Sequence, residues 1–165
     1  MLATAPVKLH LGCGGNILEG FVNVDKFNKK ADIQADLINL PFEDGCAEVV
    51  YAFHVIEHIH WPLQIPLYEE FYRVLQKGGQ LHLGYPEWEV CARNFLNNEG
   101  GKKWTWWIQT LYGQQSAPGL EHLSPIVTNH LIEQLVQIGF GEFEHKLDGA
   151  DSELKCIKTE PLPWF

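Results

Sequence analysis

Basic side chains are scarce in this chain. Its 165 residues include 12 lysines and arginines against 21 aspartates and glutamates, so the formal net charge is −9. Such a surface repels a polyanion, which argues against a nucleic-acid partner. The basic and aromatic cluster Lys102–Lys103 with Trp104, Trp106 and Trp107 has the spacing of rings that pack into a core or a pocket wall.

Long apolar runs and paired cysteines are absent as well. No stretch approaches the roughly 18 apolar residues that a membrane-spanning helix needs, and the first six residues lack the pattern of an export signal. The four cysteines are far apart, and no C-x-x-C pair indicates a zinc knuckle or a disulfide framework. We therefore expect a cytoplasmic protein that does not bind membranes.

A dinucleotide-binding glycine motif is incomplete. The apolar run Val7–Leu11 leads into a glycine turn, and a second run, Phe21–Val24, ends on Asp25. Glycines let a ligand approach the backbone, and a carboxylate after the second strand can accept both hydroxyls of a ribose. Ile17 stands where G-x-G-x-x-G requires its third glycine, and the short connection leaves no room for a normal helix. The pattern favours a cofactor that has a ribose but no phosphate.

Six motifs in order resemble those of class I S-adenosylmethionine-dependent methyltransferases, most closely the small bacterial type-11-like members with a truncated first helix. The motifs are Leu9–Gly14, Val22–Asp25, Ala35–Leu37, Leu40–Gly45, Phe53–Ile59 and Arg73–Gly79. The resemblance implies S-adenosylmethionine as cofactor. It also implies that an acid and its apolar neighbour, Asp36 and Leu37, contact the adenine. The cofactor-binding residues that it implies are Gly12, Cys13, Gly14, Asp25, Lys26, Asp36, Leu37 and His54.

The order of apolar runs and helical patterns predicts an α/β fold in one domain, residues 1–165. We expect a Rossmann-like, doubly wound, mostly parallel sheet, with strands at 7–11, 21–24, 33–35, 48–53 and 80–85. A helix over 67–75 should have Pro62 or Pro66 in its first turn and end at Gly78–Gly79. The cofactor should then lie at the carboxyl edge of the strands.

A helical insertion over residues 86–124 is expected after the fifth strand. It should contain helices at 87–98 and 102–112 and a polar loop over 113–124, and it should form the substrate wall. Ser124–Pro125 should open the last helix and Gly139 should close it. Residues 140–146 and 153–158 should pair as an antiparallel hairpin at the sheet edge.

The segment His54-Val55-Ile56-Glu57-His58 admits several interpretations. H-x-x-E-H is a signature of zinc proteases, but here it directly follows a strand within a methyltransferase-like series. Some RNA and ubiquinone-pathway methyltransferases use a similar segment to hold a divalent ion, which would make His54, Glu57, His58 and His122 candidate ligands. Alternatively Glu57 and His58 only cap a helix. The sequence favours the interpretation without a metal.

We expect methyl transfer to an oxygen or nitrogen of a small polar acceptor, such as a sugar or another small metabolite. His122 is the first candidate for the base because an imidazole titrates near neutrality, and His54, Tyr112 and Tyr85 are further candidates. The alternative is a non-catalytic partner subunit that binds S-adenosylmethionine or S-adenosylhomocysteine. In that case Trp88, Trp106 or Trp107 should fill the pocket. The sequence indicates neither the acceptor nor the oligomeric state.

Overall fold

The protein contains a six-stranded sheet, and most of its strands coincide with apolar runs of the sequence. The computed structural model describes residues 6–97 and 103–160. The strands are β1 (Val7–Leu11), β2 (Val22–Val24), β3 (Ala47–Phe53), β4 (Leu75–Pro86), β5 (Phe140–Asp148) and β6 (Asp151–Lys158). Their order across the sheet is β2-β1-β3-β4-β6-β5. The first four strands are parallel, and β6 pairs antiparallel with both β4 and β5.

This architecture confirms the Rossmann-like α/β prediction, with its mostly parallel sheet and antiparallel carboxyl-terminal hairpin. The parallel strands β1, β3 and β4 bring Leu11, Phe53 and Gly84 to one carboxyl edge, where the polar side chains of the site are found. The connections that follow β1 and β2 contain turns and no helix within the described residues. The expected lack of a helix after the glycine turn is thereby confirmed.

The predicted strand at 33–35 is wrong. Ile33 forms a single parallel bridge with Val24, and its neighbours leave the ladder. Asp32 turns its carboxylate to the backbone and side-chain amides of Asn23, and Asp36 pairs with Lys26. Both acids are held by their side chains on either side of a three-residue run, so the run is too short to extend.

One face of the sheet contributes to the main hydrophobic core. Alternating residues of four strands are fully or nearly fully buried against helix α1 (Gln64–Val74) and helix α4 (Thr128–Ile138). The strand residues are Leu9, Leu11, Val50, Ala52, Leu81, Leu83, Leu154 and Cys156. Leu67, Phe71 and Val74 follow the helical spacing expected of α1, and Leu131 and Leu135 do so in α4.

The opposite face carries a row of rings. Tyr51 stacks on Phe53 with 4.1 Å between ring centroids, and His10 and His82 flank Tyr51 on the neighbouring strands. The imidazole of His10 is buried and hydrogen-bonded to Asn23 at 2.9 Å. Alternation along each strand thus separates an aliphatic face from an aromatic face.

Helix α1 begins and ends earlier than the first predicted helix. Helix α1 begins at Gln64, with Pro66 in its first turn, and it ends at Val74 instead of at the glycines. Leu75 has extended backbone and pairs with Ala47, because its fully buried side chain belongs to the sheet. Two short 3-10 helices, Ile56–His58 and Trp61–Leu63, precede α1.

The insertion after the fifth predicted strand is helical as expected. Helix α2 spans Trp88–Asn97 and α3 spans Trp104–Tyr112; the expected ends at Asn98 and Lys102 lie outside the described residues. None of the helices described in residues 6–97 and 103–160 has the length and apolarity needed to cross a bilayer.

The predicted start of the last helix is also wrong, because α4 begins three residues after Pro125. Ser124 donates its hydroxyl to the carbonyl of Ile59 at 2.7 Å, and its N–H faces the carbonyl of Glu57 at 3.2 Å. Ser124 is therefore tied to the segment after β3. Glu87 accepts the N–H of Thr128 instead, and Gly139 ends the helix as predicted, with φ of 121°.

Lys158 fixes the end of the hairpin to α1. Its ammonium donates to the carbonyls of Tyr72 and Leu75, both at 2.7 Å, and lies 4.2 Å from the ring centroid of Tyr72. Partial burial lowers the pKa of Lys158. The two carbonyls therefore stabilise the charged ammonium of Lys158. Carbonyls at the end of a helix have no intrahelical donor and are free to accept from it.

We expect Lys158→Met to reduce the free energy of unfolding by about 1–3 kcal/mol, since hydrogen bonds to a charged group contribute in this range. Lys155→Met is the matched control, because Lys155 is exposed on the same strand. Urea denaturation of both variants measures the difference. Equal midpoints for the two variants would contradict this account.

Candidate active site

The glycine turn after β1 is anchored to the end of β2. The N–H groups of Gly12 and Cys13 both face the carbonyl of Val24, at 2.8 and 3.2 Å. Gly12 and Gly14 have φ of 66° and 49°, a region that favours glycine. A Cβ at Gly12 would lie 2.4 Å from Val55, whereas one at Gly14 would meet no atom within 4 Å. Gly12 is thus required by packing, and Gly14 faces open space that a ligand can enter.

Asp25 lies at the tip of β2, as predicted, and its carboxylate organises the turn. It accepts the N–H of Gly14 at 2.8 Å and those of Phe27 and Asn28 at 2.7 Å each. A carboxylate has about four lone-pair directions, so three amides leave room for about one further donor. The expectation that Asp25 binds a ribose remains a prediction, with one hydroxyl in place of two.

Asp36 and Lys26 form an ion pair, with 2.8 Å between the carboxylate and the ammonium. The hydrogen bond from Lys26 lowers the pKa of Asp36, so this acid stays ionised and able to accept a donor. Leu37 is buried in the core, so only the edge of its side chain remains for contact with an adenine. The adenine contacts of both residues remain predictions.

Two residues of this region were missed by the sequence reasoning. The amide of Asn28 donates to the carbonyl of Gly14 and closes the turn from the other side. The exposed ring of Phe27 lies against Gly119, where a Cβ would come within 2.8 Å of it. Asp25 followed by Asn28 is a turn signal that could have indicated the first contact. Nothing in the local pattern indicates the second.

His54 directly follows β3 at the carboxyl edge. Its φ of 53° is uncommon outside glycine, and its N–H donates to the carbonyl of Gly84 at 2.7 Å. Its Nδ1 lies 3.3 Å from a carboxylate oxygen of Glu57. This hydrogen bond raises the pKa of His54. Because a carboxylate only accepts, Nδ1 carries the proton and the Nε2 atom remains for other contacts.

The polar loop that contains His122 contacts the segment after β3. The rings of His58 and His122 are 4.9 Å apart in an edge-to-face arrangement. Ligand atoms of Glu57, His58 and His122 all lie within 4.8 Å of one another. Burial lowers the pKa of His122, which keeps this imidazole neutral near pH 7.

The tyrosine candidates occupy different environments. Tyr112 is 55% exposed at the end of α3, and its carbonyl accepts the N–H of His122 at 3.0 Å. Tyr85 is fully buried, its hydroxyl is 2.9 Å from Thr128, and burial raises its pKa to about 12. Tyr85 is therefore unsuited to act as a base.

A cavity of about 410 Å³ opens beside His54, at the ends of β3 and β4. Its wall is mainly polar and charged, and it does not include the glycine turn. The lining residues are Phe53, His54, Gly84, Lys146, Asp148, Asp151, Ser152 and Glu153. The glycine turn and this cavity thus lie on either side of His54, as two separate parts of one edge.

The tryptophans of the insertion do not line this cavity. Trp107 is buried within its own helical layer, and Trp88 and Trp106 remain partly exposed. The non-catalytic alternative concerned rings in the channel to the methyl position and not in this cavity, so it remains open.

Comparisons with known proteins show that the amino-terminal half of the chain is similar to a protein family. The family model described as "Methyltransferase domain" matches residues 12–83. A sterol 24-C-methyltransferase of Clavispora lusitaniae is 27% identical over 139 residues, which are 84% of this chain and 32% of the relative. A sterol 24-C-methyltransferase of Candida albicans matches to the same extent. The chain spans about a third of the length of these curated relatives.

Solved structures share the fold. An S-adenosylmethionine-dependent methyltransferase of Thermotoga maritima has a TM-score of 0.67 at 16% identity, with 96% of this chain and 84% of that chain covered. One from Archaeoglobus fulgidus also has a TM-score of 0.67 at 16% identity, with 94% and 87% covered. At this identity the likeness establishes the fold alone.

We expect Gly14→Val to abolish binding of S-adenosylmethionine, because its side chain would enter the open space above the turn. Gly78→Val is the matched control: Gly78 also has positive φ (76°) and open space around it, but it lies at the opposite edge of the sheet. Calorimetry measures the affinity and circular dichroism the fold. Unchanged affinity in a folded Gly14→Val protein would move the cofactor site elsewhere.

We expect Asp25→Ala to weaken cofactor binding by about 2–3 kcal/mol, on the scale of hydrogen bonds to charged groups. Asp32→Ala is the control, because Asp32 also accepts the backbone and side-chain amides of a neighbour, but that neighbour is Asn23 and not a residue of the glycine turn. The control should lose stability and keep its affinity. Wild-type affinity in Asp25→Ala would contradict the ribose assignment.

Proposed function

Because the chain belongs to the class I S-adenosylmethionine-dependent methyltransferases, we propose that it transfers a methyl group to an oxygen or nitrogen of a small polar acceptor. One observation carries the proposal: the glycine turn with Asp25 and the cluster of His54, Glu57, His58 and His122 occupy the same carboxyl edge of the sheet. This shared edge supports the proposal, because a turn suited to a nucleoside and side chains able to exchange protons would act on the same substrate.

The residues of the turn fit S-adenosylmethionine. The space at Gly14 admits the methionine part, Asp25 retains a lone pair for a ribose hydroxyl, and Asp36 can accept from the exocyclic amine of the adenine. When bound, the cofactor supplies an electrophilic methyl group on a positively charged sulfur. The chain's contribution is to hold that methyl group in line with the acceptor atom and to exclude water.

The charged cavity beside His54 supports a polar acceptor. Lys146, Asp148, Asp151 and Glu153 line it, and such groups favour hydroxyl or amine contacts over those of an apolar substrate. This is the reason to propose a sugar or a similar small metabolite, although the curated relatives are sterol methyltransferases. The four free cysteines support a reducing, cytoplasmic setting, and the negative net charge argues against a nucleic-acid acceptor.

His122 is the residue that we assign to the acceptor's proton. Its Nδ1 lies 2.8 Å from the carbonyl of Thr110, so Nδ1 carries the proton and Nε2 keeps its lone pair in the neutral ring. With the cofactor bound, the acceptor's lone pair would form the new bond to the methyl carbon as the carbon–sulfur bond breaks, which would leave S-adenosylhomocysteine. Nε2 of His122 would take the proton that the acceptor loses.

We expect His122→Asn to lower kcat by about 10²–10⁴-fold, the usual contribution of general acid–base catalysis, with little change in cofactor affinity. His130→Asn is the matched control, because its imidazole is exposed on α4. The assay measures S-adenosylhomocysteine by mass spectrometry, with a panel of sugars, phenols, amines and small acids as acceptors. Normal turnover by His122→Asn would contradict the assignment. Cofactor binding without turnover of any acceptor would favour a non-catalytic partner subunit.

A further inference from the structure

We propose that Glu57, His58 and His122 form a binding site for one divalent transition-metal ion, with Zn²⁺ as the representative. The catalytic use of this ion rests on the proposed function, whereas the binding itself rests on the geometry of the three side chains. Two imidazoles and one carboxylate are a donor set that suits zinc and its first-row neighbours better than Mg²⁺ or Ca²⁺, which prefer oxygen ligands.

The three ligand atoms are already gathered. They lie within 4.8 Å of one another. Ligand atoms of a tetrahedral zinc site are about 3.4 Å apart, given metal–ligand distances of about 2.0–2.2 Å. Small rotations of the side chains would therefore close the site around an ion without a change of backbone.

In both imidazoles a backbone carbonyl engages Nδ1, which leaves Nε2 for an ion. The Nδ1 atom of His58 lies 2.9 Å from the carbonyl of Glu121, and that of His122 lies 2.8 Å from the carbonyl of Thr110. A carbonyl only accepts, so each Nδ1 carries its proton and each Nε2 presents a lone pair. Metal-ligating histidines in proteins are usually oriented by such a hydrogen bond from the other ring nitrogen.

Glu57 supplies an independent observation. Its side chain is 1% exposed, and among the described residues its Oε2 atom is buried without a hydrogen-bond partner. A buried carboxylate oxygen without a donor is costly, and a cation would satisfy it. Two other buried atoms of the described chain also lack partners, Tyr68 Oη and Trp107 Nε1, and neither is hydrogen-bonded to Glu57.

The backbone around the three ligands is fixed by hydrogen bonds across the site. The carbonyl of Glu57 accepts the N–H of Leu123 at 2.7 Å and that of Ser124 at 3.2 Å. The hydroxyl of Ser124 binds the carbonyl of Ile59. The loop that carries His122 is thereby tied to the 3-10 helix that carries Glu57 and His58. Because the backbone is already held in place, the site would lose little conformational entropy when an ion binds.

His54 has a different role from the three ligands. Its Nδ1 donates to one oxygen of Glu57 and orients the carboxylate, so His54 is a positioning residue. Three protein ligands leave a coordination position open, as in catalytic zinc sites. With an ion bound, Nε2 of His122 would be a ligand and would no longer accept the acceptor's proton, so the ion would take over that role. An acceptor oxygen in the open position would have a lower pKa and would lose its proton to water more readily.

The experiment measures Zn²⁺ binding to the full chain by calorimetry and Co²⁺ binding by visible absorption, after treatment with a chelator. We expect one ion per chain. Glu57→Gln and His122→Asn should each weaken Zn²⁺ binding by about 100-fold or more, since even residues that only orient ligands contribute about 10–100-fold. His130→Asn is the control that should bind like the wild type, because its imidazole is exposed on α4. Mg²⁺ should not compete.

Two further readouts separate a metal site from a structural cluster. Without metal, Glu57→Gln should unfold at a higher temperature than the wild type, because it replaces a buried carboxylate whose Oε2 atom has no donor with a neutral amide; with Zn²⁺ the order should reverse. The proposal is overturned if the wild type binds no stoichiometric Zn²⁺ or if Glu57→Gln binds it equally well. Cofactor affinity is measured on the chelated protein, so that failure to bind S-adenosylmethionine counts against the proposed function alone.

Discussion

The hydrogen bonds that Glu57 makes through its backbone join the two halves of the site. Its carbonyl accepts two amides from the segment at 123–124, while its buried carboxylate holds His54. The first contact brings the polar loop over the carboxyl edge, and the second fixes the imidazole that follows β3. The hydrogen bonds from His58 to the carbonyl of Glu121 and from Ser124 to the carbonyl of Ile59 hold the same loop. The position of His122 therefore depends on the short segment after β3, with Glu57 at its centre.

The part of the fold that carries short motifs could be predicted from the sequence. Apolar runs that end at glycine or aspartate identified β1 and β2, and Asp25 lies where a parallel strand must deliver it. The missing third glycine and the short connection indicated that no helix follows the turn. These features are local, because strand spacing and glycine conformation are decided by adjacent residues.

The errors arose where distant partners decide the structure. Ser124 and Pro125 have the pattern of a helix start, but Ser124 is bound to Ile59, 65 residues away. Leu75 has helical spacing with Leu67 and Phe71, but burial in the sheet ends α1 before it. Likewise, the contact of Phe27 with Gly119 joins segments that share no pattern. The interpretation without a metal, which the sequence favours, stays a prediction; the hydrogen bonds at Nδ1 of His58 and His122 and the unpaired oxygen of Glu57 become visible only in three dimensions.

The loop over residues 113–124 contacts both ends of the site, at Phe27 beside the glycine turn and at the 3-10 helix of Glu57. Any restriction of its motion at one end reduces the conformational entropy that remains to be lost at the other. An ion held by His122 and a nucleoside held beside Phe27 would therefore be thermodynamically linked. Linkage is reciprocal, so the factor by which the ion changes nucleoside affinity equals the factor by which the nucleoside changes ion affinity. Release of the cofactor would then change the affinity for the ion, and release of the ion would change the affinity for the cofactor, because both depend on the loop over residues 113–124.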